Sequence, residues 1–433
     1  MQQFNRYFSS LVVMTTILCS FSYVATAAPG ELSLDDSVAL AIKNNPTMKM
    51  AEAEKNRSAW NLELTKADKR FSFGYEFVGE RSNKAPSFDS SLAPIPAYGY
   101  YENEFKLTLP LYTGGKLESK IAEAKLGSNV ADDNIDCAKQ QLRLETTTAY
   151  FNILAANNLL TIAKQSVGDF SRHLENVQHK YDVGLVAMAD VLQTKVKLAK
   201  AQDGLVKAQN KYDLAVYKFN NVVGLPLRND THLKEELAYQ PFQMSFDECV
   251  QFALRKRPEI TAVQAQVAIA KEQIKLAESA NRPTVGLVGA KDWQDVDFAG
   301  TKNGSWTVML VAQMELFDSG RTDAQIKKAE CGVRVAEEKA RQLNDNISLE
   351  VSQAYQDMKE AEKRIEVNKI SVEQAEWDFN IAQERYEAGM GINLDVVDAE
   401  LTLTEVKTDY IQALYDYNAS KARLDKAMGV KVD

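Results

Sequence analysis

Leu117 to Tyr181 reads LESKIAEAKLGSNVADDNIDCAKQQLRLETTTAYFNILAANNLLTIAKQSVGDFSRHLENVQHKY, without proline and with only two glycines, Gly127 and Gly168. Apolar side chains recur at Leu117, Ile121, Ala124, Val130, Ile135, Leu142, Ala149, Ile153, Leu160, Ala163, Val167, Phe170, Leu174 and Val177. The steps are mostly three and four residues, and Tyr150, Phe151 and Leu154 broaden the stripe, which is the signature of an amphipathic helix. One uninterrupted helix of this length would run about 95 Å at 1.5 Å per residue. Compact domains rarely hold helices several times the usual length, so the stretch reads as a rod.

The rod occurs twice. A shift of 205 positions places Leu111-Tyr112-Thr113-Gly114-Gly115-Lys116 on Leu316-Phe317-Asp318-Ser319-Gly320-Arg321, and Ala149-Tyr150 on Ala354-Tyr355. The same shift carries Tyr181-Asp182-Val183-Gly184 onto Tyr386-Glu387-Ala388-Gly389, Asp190-Val191 onto Asp395-Val396, and Gly224 onto Gly429. Upstream, a shift of 212 superposes Ser33, Asp35, Val38, Ala41, Pro46 and Arg70 on Ser245, Asp247, Val250, Ala253, Pro258 and Arg282. Register held over such distances indicates an internal duplication. The units are expected at 28–224 and 244–433, joined by a linker at 225–243 that contains Pro226 and Pro241.

Residues 1–27 have the pattern of a secretory signal: Arg6, an apolar core from Leu11 to Leu18, and Ala25-Thr26-Ala27 before a mature start at Ala28. Leu18 stands where a lipoprotein signal carries a small residue, which argues against lipidation of Cys19. The remaining cysteines, Cys137, Cys249 and Cys331, are odd in number and far apart. They make neither a disulfide framework nor a metal site, and are expected as buried small apolar residues. A formal charge of −9 argues against a nucleic-acid partner.

Each unit opens with a short helix. Ser245 with Glu248 fits a capping box, and Asp35 and Asp36 follow Ser33. Asn45-Pro46 and Arg257-Pro258 interrupt these helices, and proline then starts a second helix, about 46–69 and 258–281. The period next changes from 3.6 to 2. Phe71, Phe73, Tyr75 and Phe77 alternate with polar residues. A polar loop at about Gly79 to Gly99 leads to Tyr101, Phe105, Leu107, Leu109 and Leu111 in the same alternation. Strands are expected at about 71–79 and 101–112, and in the second unit at about 284–290 and 304–317. Long helices at about 116–181 and 320–386 follow, and fourth helices return from about Asp190 to Val223 and Leu394 to Met428.

Two surface hairpins packed on helices would explain the alternation. The strands also match the 9–11 residues with which a tilted strand crosses an outer membrane, apolar out and polar in, and this reading finds a place for the outward apolar side chains. Four strands cannot close a barrel, and open edges are not tolerated in hydrocarbon. Further copies of the chain must complete the wall. Barrels of this type start at about eight strands, so a dimer would supply eight and a trimer twelve. The fold class expected is mainly α with a membrane β-barrel part: a duplicated unit giving four strands and long coiled-coil-like helices per chain.

The signal segment, the duplication, the turns Leu111–Lys116 and Leu316–Arg321 from strand into long helix, and the paired Tyr-x-x-Gly turns resemble the outer-membrane efflux protein (TolC-like) family over residues 30–430. The resemblance implies a homotrimer in the outer membrane, with a 12-stranded barrel continuous with a 12-helix tunnel across the periplasm. It also implies as partners a periplasmic adaptor (membrane-fusion) protein and an inner-membrane pump or ABC transporter, for drug efflux or type I secretion. Glu315 departs from the proline that the first unit carries at Pro110, which bears on how the strand ends.

No catalytic constellation, cofactor motif or metal-ligand cluster is visible, and an enzyme is not expected. His173 and His179 are six apart on one helix and point to different sides. Asp395 and Asp398 are three apart and share a helical face. Acids are favoured in the first turn of any helix, which alone would account for them. The resemblance instead places an aspartate pair here, in a constriction where threefold symmetry makes carboxylate rings that favour cations. Tyr181, Gly184, Tyr386 and Gly389 mark turns in which glycine ends a helix. In the resemblance these turns dock the adaptor and form a closing latch, with Tyr386 hydrogen-bonded near Asp190. Relatives strengthen that closure with a basic residue where this chain has Gly391, which predicts a weaker closed state.

An adaptor protein also has long periplasmic hairpins, but normally one hairpin within β-rich modules. A secreted coiled-coil scaffold explains the rods and neither the signal nor the strands.

Overall fold

The computed structural model describes residues 31–82 and 98–432, so the expected signal segment and most of the expected loop at 79–99 lie outside the described residues. Each unit runs helix, helix, strand, strand, long helix, helix. The first comprises α1 (Leu34–Asn44), α2 (Pro46–Ala67), β1 (Ser72–Ser82), β2 (Tyr98–Tyr112), α3 (Lys116–Asp182) and α4 (Met188–Val223). The second comprises α5 (Phe246–Lys256), α6 (Pro258–Glu278), β3 (Thr284–Asp295), β4 (Gly304–Gln313), α7 (Arg321–Glu387) and α8 (Asn393–Met428), with a 3-10 turn at Ser279–Asn281 between α6 and β3. The long helices α3 and α7 each have 67 residues, roughly 100 Å at 1.5 Å per residue.

Their length is supported by two shorter partners in succession. Near the start of α3, Lys55 and Lys69 of α2 and its terminus reach Asp132 and Glu118 at 2.9 and 2.7 Å. Farther along, the apolar stripe expected on α3 meets α4 through Leu142, Tyr150 and Ile153 against Ala215, Phe219 and Val223. The second unit builds the matching core from Ile347, Val351 and Met358 of α7 with Ala413, Tyr417 and Leu424 of α8. The linker is tied across both units: Leu32 and Leu233 form a parallel bridge, and Tyr417 donates to Gln240 O at 2.6 Å.

The elbow before each proline meets the end of the fourth helix of its unit. Gly224 and Gly429 end α4 and α8 at φ +77° and +73°. A Cβ at 224 would lie 2.7 Å from Asn44 Cβ, and one at 429 would lie 3.0 Å from Arg257 Cα. Asn45 caps α2 through Thr47 N at 2.8 Å and donates to Val222 O at 2.7 Å. Its counterpart, the buried Arg257, pairs with Glu259 at 2.8 Å and with Glu350. Gly224→Ala therefore meets both left-handed backbone and a clash, and should lower stability by at least about 1–2 kcal/mol. Gly204→Ala, on an open helix surface where a Cβ meets nothing, should instead raise it by roughly 0.5–1 kcal/mol. Thermal unfolding followed by circular dichroism checks both, and equal shifts would refute the elbow account.

The four strands form one antiparallel sheet in the order β1-β2-β3-β4, so the two hairpins join through β2 and β3. One register row is Tyr75, Phe105, Lys291 and Trp306. The adjacent row, on the opposite face, is Glu76, Glu104, Asp292 and Ser305. Thus one face is aromatic, with Phe73 stacked on Phe105 at 5.7 Å, and the other is polar and acidic.

Strand ends differ from expectation. β1 begins one residue later and runs to Ser82, and β2 begins at Tyr98. β3 extends to Asp295 instead of about 290, because Lys291 and Trp293 keep the outward alternation while Asp292 and Gln294 keep the polar one. β4 ends at Gln313 rather than 317: Glu315 turns to Arg321 at 3.0 Å, leaving Leu316 and Phe317 exposed. β2, with Pro110 at the matching position, continues past a register shift to Tyr112. The cysteines also divide. Cys249 is buried and Cys137 half-buried, but Cys331 is exposed on α7, contrary to the expectation for all three.

Candidate functional site: the end of the helical hairpins

At the end of the rods farthest from the sheet, α3 turns into α4 and α7 into α8. Both turns close alike. Gly184 N and Gly389 N bond to Tyr181 O and Tyr386 O at 2.8 and 3.1 Å, and the next residues, Leu185 and Met390, reach Lys180 O and Arg385 O at 2.8 Å each. The glycines have φ +78° and +75°. The residue after the glycine usually packs back on such a helix end, yet Leu185 and Met390 are 73% and 70% exposed. Val183, Ile392 and Leu394 are exposed beside them, so both tips present apolar side chains outward.

Just inside the tips lies a small core of Val177, Val191, Tyr386 and Val396, with Tyr181 packed on it. Tyr386 is 2% exposed, edge-on to His173 with ring centroids 5.0 Å apart. The Lys180 ammonium lies 4.0 Å from the centre of the Tyr386 ring and donates to the Tyr386 carbonyl. The hydrogen bond from Tyr386 to Asp190 implied by the resemblance is not made. The Tyr386 hydroxyl is buried without a hydrogen-bond partner among the described residues, while an Asp190 carboxylate oxygen faces its own helix start, 3.3 Å from Ala187 N. Burial, and secondarily the Asp190 charge, hold the Tyr386 phenol above its usual pKa. Position 391 has little room for the basic residue of the resemblance, because a Cβ there would lie 3.1 Å from Tyr386 N. The cation near Tyr386 comes instead from Lys180 on α3.

A second polar connection between the two units at this end is made by Asn393, the buried first residue of α8. Its Oδ1 lies 2.8 Å from His173 Nε2 on α3 and 3.1 Å from Thr194 Oγ1 on α4, and its Nδ2 donates to Asp190 O at 3.4 Å. Since the amide nitrogen faces a carbonyl, the amide oxygen faces the imidazole, and His173 carries its proton on Nε2. Burial holds His173 below its usual pKa, so it is neutral at pH 7. His173 is buried and His179 exposed, on the different sides expected from their spacing.

Asp395 and Asp398 follow on α8, both exposed, while Val396, Val397 and Glu400 on the other side are buried. Sequence reasoning missed Glu400. The residue is 3% exposed; its carboxyl accepts from Thr404 Oγ1 at 3.2 Å and is pushed up to about 7 by burial and then by the Asp169 charge on α3.

The four-stranded sheet, with one aromatic and one acidic face, is set on hairpins about 100 Å long. The family model for outer membrane efflux proteins matches residues 38–225 and 249–430, and the chain belongs to that family. It is similar to the outer membrane protein TolC of Escherichia coli, with 23% identity over 70% of this chain and 64% of TolC, so the match spans just under two thirds of that relative. The outer membrane efflux protein BepC of Brucella suis is 21% identical over 92% of this chain and 85% of BepC. The crystal structure of the Campylobacter jejuni CmeC outer membrane channel superposes with a TM-score of 0.80 at 17% identity, over 92% of this chain and 85% of CmeC.

Proposed function

We propose that three copies of this chain form an outer-membrane channel that passively conducts solutes from a periplasmic adaptor and an inner-membrane pump or ABC transporter to the cell exterior. The observation that carries this reading is the sheet: β1 and β4 are edge strands, and backbone groups at such edges need partners in lipid. Pairing β4 of one copy with β1 of the next extends the aromatic face toward lipid and the row Glu76, Glu104 and Asp292 toward the bore. The helices support the same assembly. Leu192, Val196 and Val206 on α4, and Val367, Ile370 and Trp377 on α7, are exposed apolar residues on the two helices that flank the chain. The resemblance selects three copies, hence twelve strands.

In this assembly the tips at Tyr181–Gly184 and Tyr386–Gly389 face the periplasm. Their exposed Leu185, Met390 and Ile392 suit apolar docking by adaptor hairpins. Asp395 and Asp398 become two carboxylate rings at the periplasmic mouth, and outer-membrane lipid contacts the aromatic strands. The purified chain should run as a heat-sensitive trimer and form pores in planar lipid films; a monomer in detergent, or no pores, would sink the proposal. Replacing Asp395 and Asp398 together by alanine should reduce cation selectivity and weaken block by divalent and trivalent cations. Unchanged selectivity and block would exclude the rings as the constriction.

A further inference from the structure

Where α3 and α8 pack between the two units, beside α1, they leave a cavity of about 540 Å³, within the usual size of a small-ligand site. Two helical faces line it. From α3 come Gln140, Arg143, Leu144 and Thr147, and from α8 come Asn418, Lys421, Ala422 and Asp425, each set spaced as neighbours on one side of a helix. The linker roofs the cavity: Asn418 Nδ2 donates to Ala238 O at 3.1 Å, and the Tyr150 hydroxyl donates to Glu235. In the assembly proposed above the flanking helices are α4 and α7, so the cavity lies inside one chain and clear of the seams between copies.

Polar groups in a packed interior normally find one another, and here they do not. Gln140 and Thr147 are 6% and 8% exposed, and neither side chain makes a hydrogen bond among the described residues. The Asp425 carboxylate has no hydrogen bond or ion pair among the described residues either, and burial holds it above its usual pKa against the charges of Arg143 and Lys421. Both cations stand near Asp425 without closing on it. Arg143 donates only to Lys431 O, at 3.4 Å, and Lys421, one helical turn from Asp425, pairs with no carboxylate among the described residues. The other charged groups at the cavity are engaged or outside: Lys426 is on Glu350 at 2.8 Å, Glu235 is on Tyr150, and Asp35 and Glu236 are exposed.

We propose that this cavity is a binding site for a small zwitterion of dipeptide size. The ligand carboxylate sits between Arg143 and Lys421, the ammonium on Asp425, and Gln140 and Thr147 meet the amide between them. The ligand side chains rest on Leu34, Val38, Leu144 and Phe151. Opposite charges held apart suit a ligand that carries both signs, because an ion of one sign would leave the other group buried and unpaired. A dipeptide bound there touches α3 of the first unit and α8 of the second, so it fastens the two units to each other. The site depends on the fold of one chain and not on the channel reading.

Calorimetric titration of the purified protein in detergent tests this, with leucylalanine as probe beside its N-acetyl form, which lacks the ammonium, and its amide, which lacks the carboxylate. Leucylalanine should bind, and each blocked form should bind about tenfold more weakly. Arg143→Gln should weaken leucylalanine about tenfold and leave the amide unchanged, whereas Asp425→Asn should weaken leucylalanine equally and leave the N-acetyl form unchanged. A merely structural role for either residue would weaken both probes alike, and that result overturns the assignment. Equal binding of the three probes by the parent protein, or no binding of leucylalanine, overturns it without any variant. Inorganic phosphate bound as tightly as leucylalanine would make the cavity an anion site and overturn the zwitterion. Pores in planar lipid films are expected in all of these cases, so failure of the site and failure of the channel reading are told apart.

Discussion

Asn393→Ala should open the periplasmic mouth and raise single-channel conductance severalfold. Asn393 is the amide that joins α8 to α3 and α4 at once, and truncation leaves His173 Nε2 without its acceptor and Thr194 with only Asp190 O at 2.8 Å. A buried polar group stripped of its partner costs about 1–3 kcal/mol. In a trimer the closed state contains three such joints, so the loss sums to roughly 3–9 kcal/mol, with every 1.4 kcal/mol a tenfold change in the closed-to-open ratio. Opening hydrates the same groups and removes the penalty, so the mutation acts on the closed state alone. Tyr386→Phe is the contrasting variant. Its hydroxyl has no partner to lose, and the ring contacts with His173 and Lys180 persist, so conductance should stay near that of the parent. A closed Asn393→Ala channel beside an open Tyr386→Phe channel would invert the assignment and restore the tyrosine hydroxyl as the fastening.

This contrast marks where sequence reading stops. The long helices were legible because Leu142, Ile153 and Phe170 repeat a pattern that only a helix buries on one side, and the duplication repeated it. The hairpins were legible from Phe73, Tyr75 and Phe105. The second half of β3 was not, since Lys291-Asp292-Trp293 has no apolar alternation by itself and acquires meaning only in register with Phe105 and Glu104. The end of β4 depends on an ion pair with Arg321 that a strand pattern does not contain. At the mouth, the spacing of Asp395 and Asp398 predicted a shared face. Asn393 gave no such signal, because its partners His173 and Thr194 lie 220 and 199 positions away. His173 did leave a trace. It stands between Phe170 and Val177 on the apolar stripe, and an imidazole there needs a polar partner from another element.

Glu400 sets a second control on the same closed state, and Glu400→Gln should remove it. The folded carboxyl titrates at about 7 against an ordinary 4.5, so the packed form holds its proton more tightly than the unpacked one. Below 4.5 both forms are protonated and nothing is lost. As pH rises from 4.5 to 7 the unpacked form ionises first, and packing of α8 on α3 weakens by about 1.4 kcal/mol per pH unit, roughly 3 kcal/mol in all. Above 7 the penalty is constant. The charges that face Glu400 fit this sign: Asp169 across on α3 repels the carboxylate, and Lys407, the nearby cation, is already engaged by Glu376 at 2.8 Å. His173 works in the opposite direction. Its pKa is held below 6.5, so its contribution is complete above 6.5 and is lost as pH falls. The mouth should therefore be tightest in mildly acidic solution, loosened by acid through His173 and by base through Glu400. Glutamine keeps the acceptor for Thr404 without the charge, so the variant should lose the basic limb alone: conductance that rises between pH 5 and 8 in the parent should be flat, while the acid limb remains. A basic limb that survives Glu400→Gln would transfer the control to another group, and loss of both limbs would mean that the two titrations act on one joint.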